Sequence, residues 1–163
     1  EKKTSYGVDE DGNETNFDLG FVGQIVSVNT EPLDMLIAND YIPVISPIGV
    51  GEDGHSYNIN ADYAAAEIAV ALQAEKLIIL TDVEGICVDK DDPATLISAL
   101  RVAEVDGLVR RGVISGGMIP KVDCCVKALT GRVASTHILD GRRPHSILLE
   151  MLTKDGIGTM VIK

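Results

Sequence analysis

The chain has 163 residues with 14 Lys and Arg against 25 Asp and Glu, a formal net charge of -11, and 45% hydrophobic and 24% charged residues. That length suits one domain with a substantial core, and the composition excludes a disordered or collagen-like chain. The acidic excess argues against a nucleic-acid binder that depends on releasing phosphate counterions, and 4% aromatics with no Trp argues against a base-stacking platform.

No apolar run approaches the roughly 18 residues of a membrane span. The opening Glu1-Lys2-Lys3-Thr4-Ser5 carries no apolar leader. Residues 1–16 are polar, and Asp11-Gly12-Asn13 predicts a hairpin tip. Gly20 to Val28 reads as a strand. Thr30-Glu31-Pro32-Leu33 predicts a helix start, with Thr30 as the cap and Pro32 in the first turn. Tyr41 to Ile45 reads as a short buried strand, and Gly49 to His55 as a loop turning at Asp53-Gly54. Ala61 to Ala74 is an Ala-rich helix.

Lys76 to Leu80 is a continuous apolar strand, the pattern of a parallel strand covered on both faces. A polar loop follows at Asp89 to Pro93. A helix through Val102, Val105, Leu108 and Val109 ends at Gly112, and another runs from about Ile119 to Leu129 behind Gly116-Gly117. Ser135 to Leu139 is a strand, Arg143 to Leu152 a helix, and Gly158 to Ile162 a final strand. This alternation predicts an α/β protein with a mostly parallel, doubly wound sheet. Its ligands should bind at strand carboxyl ends, in the loops after Ile45, Leu80 and Leu139.

Four segments carry candidate chemistry. Asn58-Ile59-Asn60-Ala61-Asp62 reads either as a helix cap or as amides and a carboxylate facing a polar substrate. Leu80-Thr81-Asp82-Val83-Glu84-Gly85 is either a simple turn or a nucleotide-contacting loop. Ile114-Ser115-Gly116-Gly117-Met118-Ile119-Pro120-Lys121 lets backbone approach a ligand and adds a helix N-terminus and a lysine, which favours an anion. It lacks the Walker A spacing. His137 to His145 holds a histidine in an apolar strand and an arginine pair, which in isolation read as core and surface. Cys87, Cys124 and Cys125 form neither a disulfide framework nor a metal motif, and read as reduced thiols.

In combination, Asp18-Leu19-Gly20-Phe21-Val22-Gly23, Tyr57-Asn58-Ile59-Asn60-Ala61-Asp62, Leu80-Thr81-Asp82-Val83-Glu84-Gly85, Ser115-Gly116-Gly117-Met118-Ile119-Pro120-Lys121 and Asp140-Gly141-Arg142 carry a resemblance. From about Asp18 to the C-terminus, the chain resembles the C-terminal, nucleotide-binding portion of the N-acetylglutamate kinases in the amino acid kinase family.

The resemblance implies a three-layer αβα fold lacking its N-terminal part. Residues 1–18 would be a hairpin from the substrate-side lobe, and 19–163 the nucleotide-binding lobe. It implies ATP-dependent phosphorylation of the side-chain carboxylate of N-acetyl-L-glutamate, an early step of arginine biosynthesis, with Mg²⁺ travelling on the nucleotide. Lys121 would stabilise the transferring phosphoryl group and Asp62 would organise catalytic lysines. Asn58 and Asn60 would bind substrate. Thr81, Asp82, Val83, Glu84, Gly85, Ile86, Val113, Ile114, Ser115, Gly116 and Gly117 would bind ATP. His137, Glu150 and Gly156 match positions of an L-arginine inhibitor pocket in relatives.

The family's first strand and its glycine-rich loop with a further catalytic lysine have no counterpart in residues 1–163, so the isolated chain is expected to be inactive. A homodimer or hexamer is implied for the complete enzyme, in the cytoplasm or alternatively a plastid. Two other readings stay open: another amino acid kinase, or a non-catalytic nucleotide- or arginine-binding module.

Overall fold

The computed structural model describes residues 1–8, 14–153 and 156–163. They form two compact units, Glu1–Ala64 and Ala65–Lys163. Among the described residues no helix is long and apolar enough to cross a membrane.

In the first unit, β1 (Lys2–Val8) pairs antiparallel with β2 (Glu14–Gly23), with Val8 opposite Glu14. The hairpin tip expected at Asp11-Gly12-Asn13 lies outside the described residues. β2 ends at Gly23 rather than reaching Val28. Helix α1 (Glu31–Ala38) begins where the sequence suggests, but Thr30 makes no side-chain cap; Asn29 Oδ1 accepts the Glu31 N–H at 3.1 Å instead. The strand expected at Tyr41–Ile45 does not form. Pro43 removes a ladder donor, no described strand lies alongside, and Ile42 and Val44 are 89% and 96% exposed. The loop after Ile45 is therefore not a strand terminus.

β3 (Ile48–Val50) and β4 (Ser56–Asn58) form a hairpin around the Asp53-Gly54 turn, and β4 joins β2 in parallel. The resulting sheet order is β1-β2-β4-β3. Most of its pairings are antiparallel, because hairpins join neighbouring strands directly. Its small core is Tyr57, Ile59 and Ala64, with Ile25 against them. The unit boundary falls inside α2 (Ala61–Ala71), three residues shorter than the apolar run predicts.

The second unit contains β5 (Lys76–Thr81), β6 (Ala99–Arg101), α3 (Val102–Arg110), α4 (Met118–Thr130), β7 (Ser135–Asp140), α5 (Ser146–Leu152) and β8 (Thr159–Ile162). The sheet order is β5-β7-β8-β6. β5 and β7 are parallel, as are β6 and β8, but β7 and β8 run antiparallel. The α/β class expected from the alternation is the class observed.

One burial expectation is corrected. β5 is an edge strand: Leu77 and Ile79 face the core while Leu80 is 47% exposed. β7 is the strand buried on both faces, with Thr136, His137, Ile138 and Leu139 all covered. The more apolar strand thus sits at the edge, and the one carrying polar residues sits inside. Helix α4 packs on β5, β7 and β8, and its Val122, Cys125 and Leu129 lie in the buried core. Each such apolar side chain stabilises the unit by about 1.5–3 kcal/mol relative to exposure. Arg101 N–H bonds Glu104 Oε2 at 2.9 Å to start α3, which ends before Gly112.

Candidate functional site

β5 and β7 are parallel and in register through Thr81 and Asp140, so their carboxyl ends lie side by side. The Gly141 N–H donates to the Thr81 carbonyl at 2.8 Å, which joins the two exit loops. A cavity of about 530 Å³ opens there, within the size range of small-molecule sites. Thr81 through Ile86 line it, and Val113, Ser115, Gly117 and Lys121 join them from the segment that enters α4. Two residues named from the sequence stand apart. Ile114 is 1% exposed and belongs to the core, and Gly116 makes the positive-φ turn into α4 without lining the cavity.

The 81–86 loop is fastened from below. The Ile86 N–H donates to Thr159 Oγ1 at 2.8 Å, and both residues are buried. Gly85 has φ +151°, and a Cβ there would lie 2.7 Å from Thr159 Oγ1 and 2.8 Å from Leu96 Cδ1. Only glycine lets this loop pass so close to β8.

The start of α4 is tighter than the sequence implies. The Met118 and Ile119 N–H groups already donate to the carbonyls of Ser115 and Gly116, and Pro120 has no N–H. An anion would therefore rely less on bare N–H groups there than on the dipole end and on half-buried Lys121, one turn in.

Sequence reasoning missed Cys87, Lys90, Pro93, Met118 and Arg142 as cavity-lining residues. Lys90 rides on a turn braced by Thr95, whose hydroxyl accepts the Asp89 N–H and whose backbone N–H bonds the Asp92 carbonyl. Burial and the nearby Glu84 carboxylate push the Cys87 thiol pKa up, so it is a poor nucleophile. Arg142 forms a two-pronged pair with Asp140, Nε to Oδ1 and Nη2 to Oδ2, each 2.9 Å. That pairing and the Arg142 N–H hold the Asp140 carboxyl below the usual carboxylate range. No local signal ranked Arg142 as a lining residue; it reaches the cavity because Asp140-Gly141-Arg142 follows a strand whose parallel neighbour ends in Thr81-Asp82.

In the first unit, Asn60 Oδ1 accepts the Asp62 and Tyr63 N–H groups at 3.0 and 3.2 Å, so it caps α2. Asn58 is exposed at the end of β4, and Asp62 is half-buried in the first turn of α2. A second cavity of about 620 Å³ in this unit is lined by Gln24, Ile25, Asp53, Tyr57 and Ile59 among others, but not by Asn58 or Asn60. There the Tyr57 hydroxyl donates to Asp53 Oδ2 at 2.6 Å, holding the Asp53 carboxyl low.

The structure brings His137, Glu150 and Gly156 together. His137 Nδ1 lies 2.8 Å from Glu150 Oε1, with side chains 6% and 5% exposed. Glu150 Oε2 accepts the N–H groups of Ile157 and Gly158 at 2.7 and 3.3 Å. A Cβ on Gly156 would lie 2.9 Å from Glu150 Oε2. Burial raises the Glu150 pKa, but His137 and the two N–H donors outweigh it and leave the carboxyl below its ordinary value.

Parallel strands that end together over a cavity of this size define an α/β ligand-binding protein. The sequence pattern of the amino acid kinase family matches residues 4–140, and the chain belongs to that family. It is 61% identical over 155 residues to the acetylglutamate kinase of Moorella thermoacetica, covering 95% of this chain and 52% of that protein. It is 63% identical over 153 residues to the acetylglutamate kinase of Pelotomaculum thermopropionicum, covering 94% and 52%. The chain thus spans about half the length of the curated relatives it matches. Among solved structures, the Neisseria gonorrhoeae N-acetylglutamate synthase complexed with coenzyme A and L-arginine superposes with a TM-score of 0.81 at 30% identity, over 100% of this chain and 37% of that one.

Proposed function

We propose that this chain is the nucleotide-binding part of an acetylglutamate kinase. Such an enzyme transfers the γ-phosphoryl group of ATP to the side-chain carboxylate of N-acetyl-L-glutamate and produces an acyl phosphate. The observation that carries the reading is the 61% identity to the Moorella enzyme across 95% of the chain. The cavity beside Thr81–Ile86 supports it, because its size and its two lysines suit a nucleotide.

In this reading, residues 19–163 hold ATP and residues 1–18 belong to the substrate-side lobe. Thr81–Ile86 and Val113–Gly117 form the nucleotide cradle, with Ile114 supporting it from the core. Lys121, which lines that cavity, neutralises charge on the transferring phosphoryl group, the main demand of phosphoryl transfer. Asp62 orients the lysine side chains of the complete site. Asn58 binds N-acetyl-L-glutamate, and Asn60 fixes the adjoining helix start. Among the described residues no three His, Cys, Asp or Glu side chains stand together as a metal cage. In this reading Mg²⁺ travels on the phosphates, and Asp82 and Glu84 are carboxylates of the cavity wall. The complete protein would act in the cytoplasm as a homodimer or hexamer. The two acetylglutamate kinases named above are bacterial and lend no support to a plastid.

His137, Glu150 and Gly156 are proposed to line an L-arginine pocket. The favouring observation is the arginine-complexed synthase structure, which covers the whole chain. A guanidinium would have to share a carboxylate that already accepts three hydrogen bonds.

The test is ADP release by the whole protein that carries this chain, given Mg-ATP and candidate acceptors, with the acyl phosphate trapped by hydroxylamine. Turnover that requires N-acetyl-L-glutamate supports the reading. Turnover with glutamate, carbamate or UMP instead overturns it. Inhibition by L-arginine that His137→Ala abolishes supports the second site.

A further inference from the structure

The cavity departs from the charge balance of the chain. Overall, 14 basic residues face 25 acidic ones, yet the cavity is lined by Lys90, Lys121 and Arg142 against Asp82 and Glu84. The fold holds the head of Arg142 in place.

Three features fix it. β7 ends at Asp140 in register with Thr81 of β5, and the Gly141 N–H bonds the Thr81 carbonyl at 2.8 Å. A Cβ on Gly141 would come within 3.2 Å of Leu80 Cβ, so the glycine keeps this turn pressed to the end of β5. The Asp140 carboxylate then takes Nε and Nη2 of Arg142 at 2.9 Å each, and also the Arg142 backbone N–H at 2.9 Å. A guanidinium has five N–H donors. Asp140 uses one on Nε and one on Nη2, and the others have no partner among the described residues. A side chain already held in one geometry loses little entropy when it meets an anion, and a guanidinium fork suits phosphate oxygens.

We propose that Arg142 is a phosphate-binding side chain of the nucleotide cavity, with Asp140 as the positioning residue that aims it. The proposal rests on the nucleotide reading given above and deepens it. The cavity acids Asp82 and Glu84 both act on Arg142 electrostatically.

The test compares binding of ATP, ADP, AMP and adenosine by calorimetry, using the whole protein as wild type, Arg142→Met, Arg142→Lys and Asp140→Asn. A hydrogen bond to a charged group corresponds to about a tenfold change in affinity or more. Arg142→Met should therefore weaken, about tenfold, those ligands whose phosphate it touches and leave adenosine unchanged. Arg142→Lys keeps the charge but not the fork and should recover part of that loss. Asp140→Asn should reproduce the same ligand profile at smaller size, since it loosens the guanidinium without removing it. Loss by a common factor for all four ligands, adenosine included, would show a merely structural role and overturn the proposal. Unchanged affinities in Arg142→Met would overturn it as well. Wild-type protein that binds none of the four would overturn the nucleotide reading and this role together. Normal wild-type binding with an unaffected Arg142→Met removes this role alone.

Discussion

Thr136 and Thr159 invite the same substitution with opposite results. Both are 0% exposed, on the neighbouring strands β7 and β8. Thr159 Oγ1 accepts the buried Ile86 N–H at 2.8 Å. Thr136 Oγ1 has no hydrogen-bond partner among the described residues. Valine keeps the shape of threonine and exchanges the hydroxyl for a methyl. Thr159→Val strands a buried N–H, at a cost of about 1–3 kcal/mol. Thr136→Val removes an unpaired buried hydroxyl, whose burial costs a similar amount, and should stabilise by about 1 kcal/mol. The chemical change is identical, so effects on the unfolded chain largely cancel in the comparison. The two variants should differ by about 2–4 kcal/mol, and for a unit of this size each 1 kcal/mol moves the melting temperature by about 4–8 °C. Urea denaturation gives the free energies and thermal melts the midpoints. A Thr136→Val variant destabilised by more than about 1 kcal/mol, or two variants shifted equally, would refute the hydrogen-bond assignment.

Lys121→Ala in the complete enzyme should lower kcat about a hundredfold or more while changing the KM for N-acetyl-L-glutamate little, as removal of a group that acts on the transition state does. Steady-state kinetics reads the split, and a pure KM effect would assign Lys121 to binding. Glu150→Gln should lower stability by about 1–3 kcal/mol near neutral pH, because the carboxylate bonds His137, Ile157 and Gly158 in a nearly closed site. The pKa of Glu150 is lower in the folded chain than in the unfolded one, where it lies near about 4.3. Its contribution is therefore present above that value and fades as pH falls through the depressed folded value. Urea midpoints of wild type and variant should converge in strong acid. A gap that is constant with pH would exclude the charged carboxylate as its source.

The alternation of elements was legible because each run of Lys76–Leu80 or Val102–Val109 type carries its own period. What was not legible depended on neighbours. Leu80 and Ile138 are equally apolar, yet one lies on an edge strand and is half-exposed while the other is sealed between β5 and β8. Strand order decides this, and no local pattern encodes it. Tyr41–Ile45 has strand composition, but a strand needs a partner, and the described residues offer none. Asn29 displaced Thr30 as the cap because both residue types can cap and only backbone geometry chooses between them. Within the site, Thr81–Gly85 and Gly117–Lys121 could be picked out because glycine and charge punctuate apolar runs there. Lys90 and Arg142 could not be ranked above other surface cations until the register of β5 against β7 brought their loops to one cavity.

That register also explains how a strongly acidic chain can hold an anion. With a net charge of -11 the long-range field repels phosphate, and surface interactions fade beyond about 8–10 Å at physiological salt. Within that range only the nearest groups count, and the carboxyl ends of β5 and β7 put Lys90, Lys121 and Arg142 within one cavity wall. Acidic residues elsewhere lower the rate of encounter more than they weaken the bound state. The affinity of such a site should therefore rise or fall with the local cations far more than with surface charge removed from it.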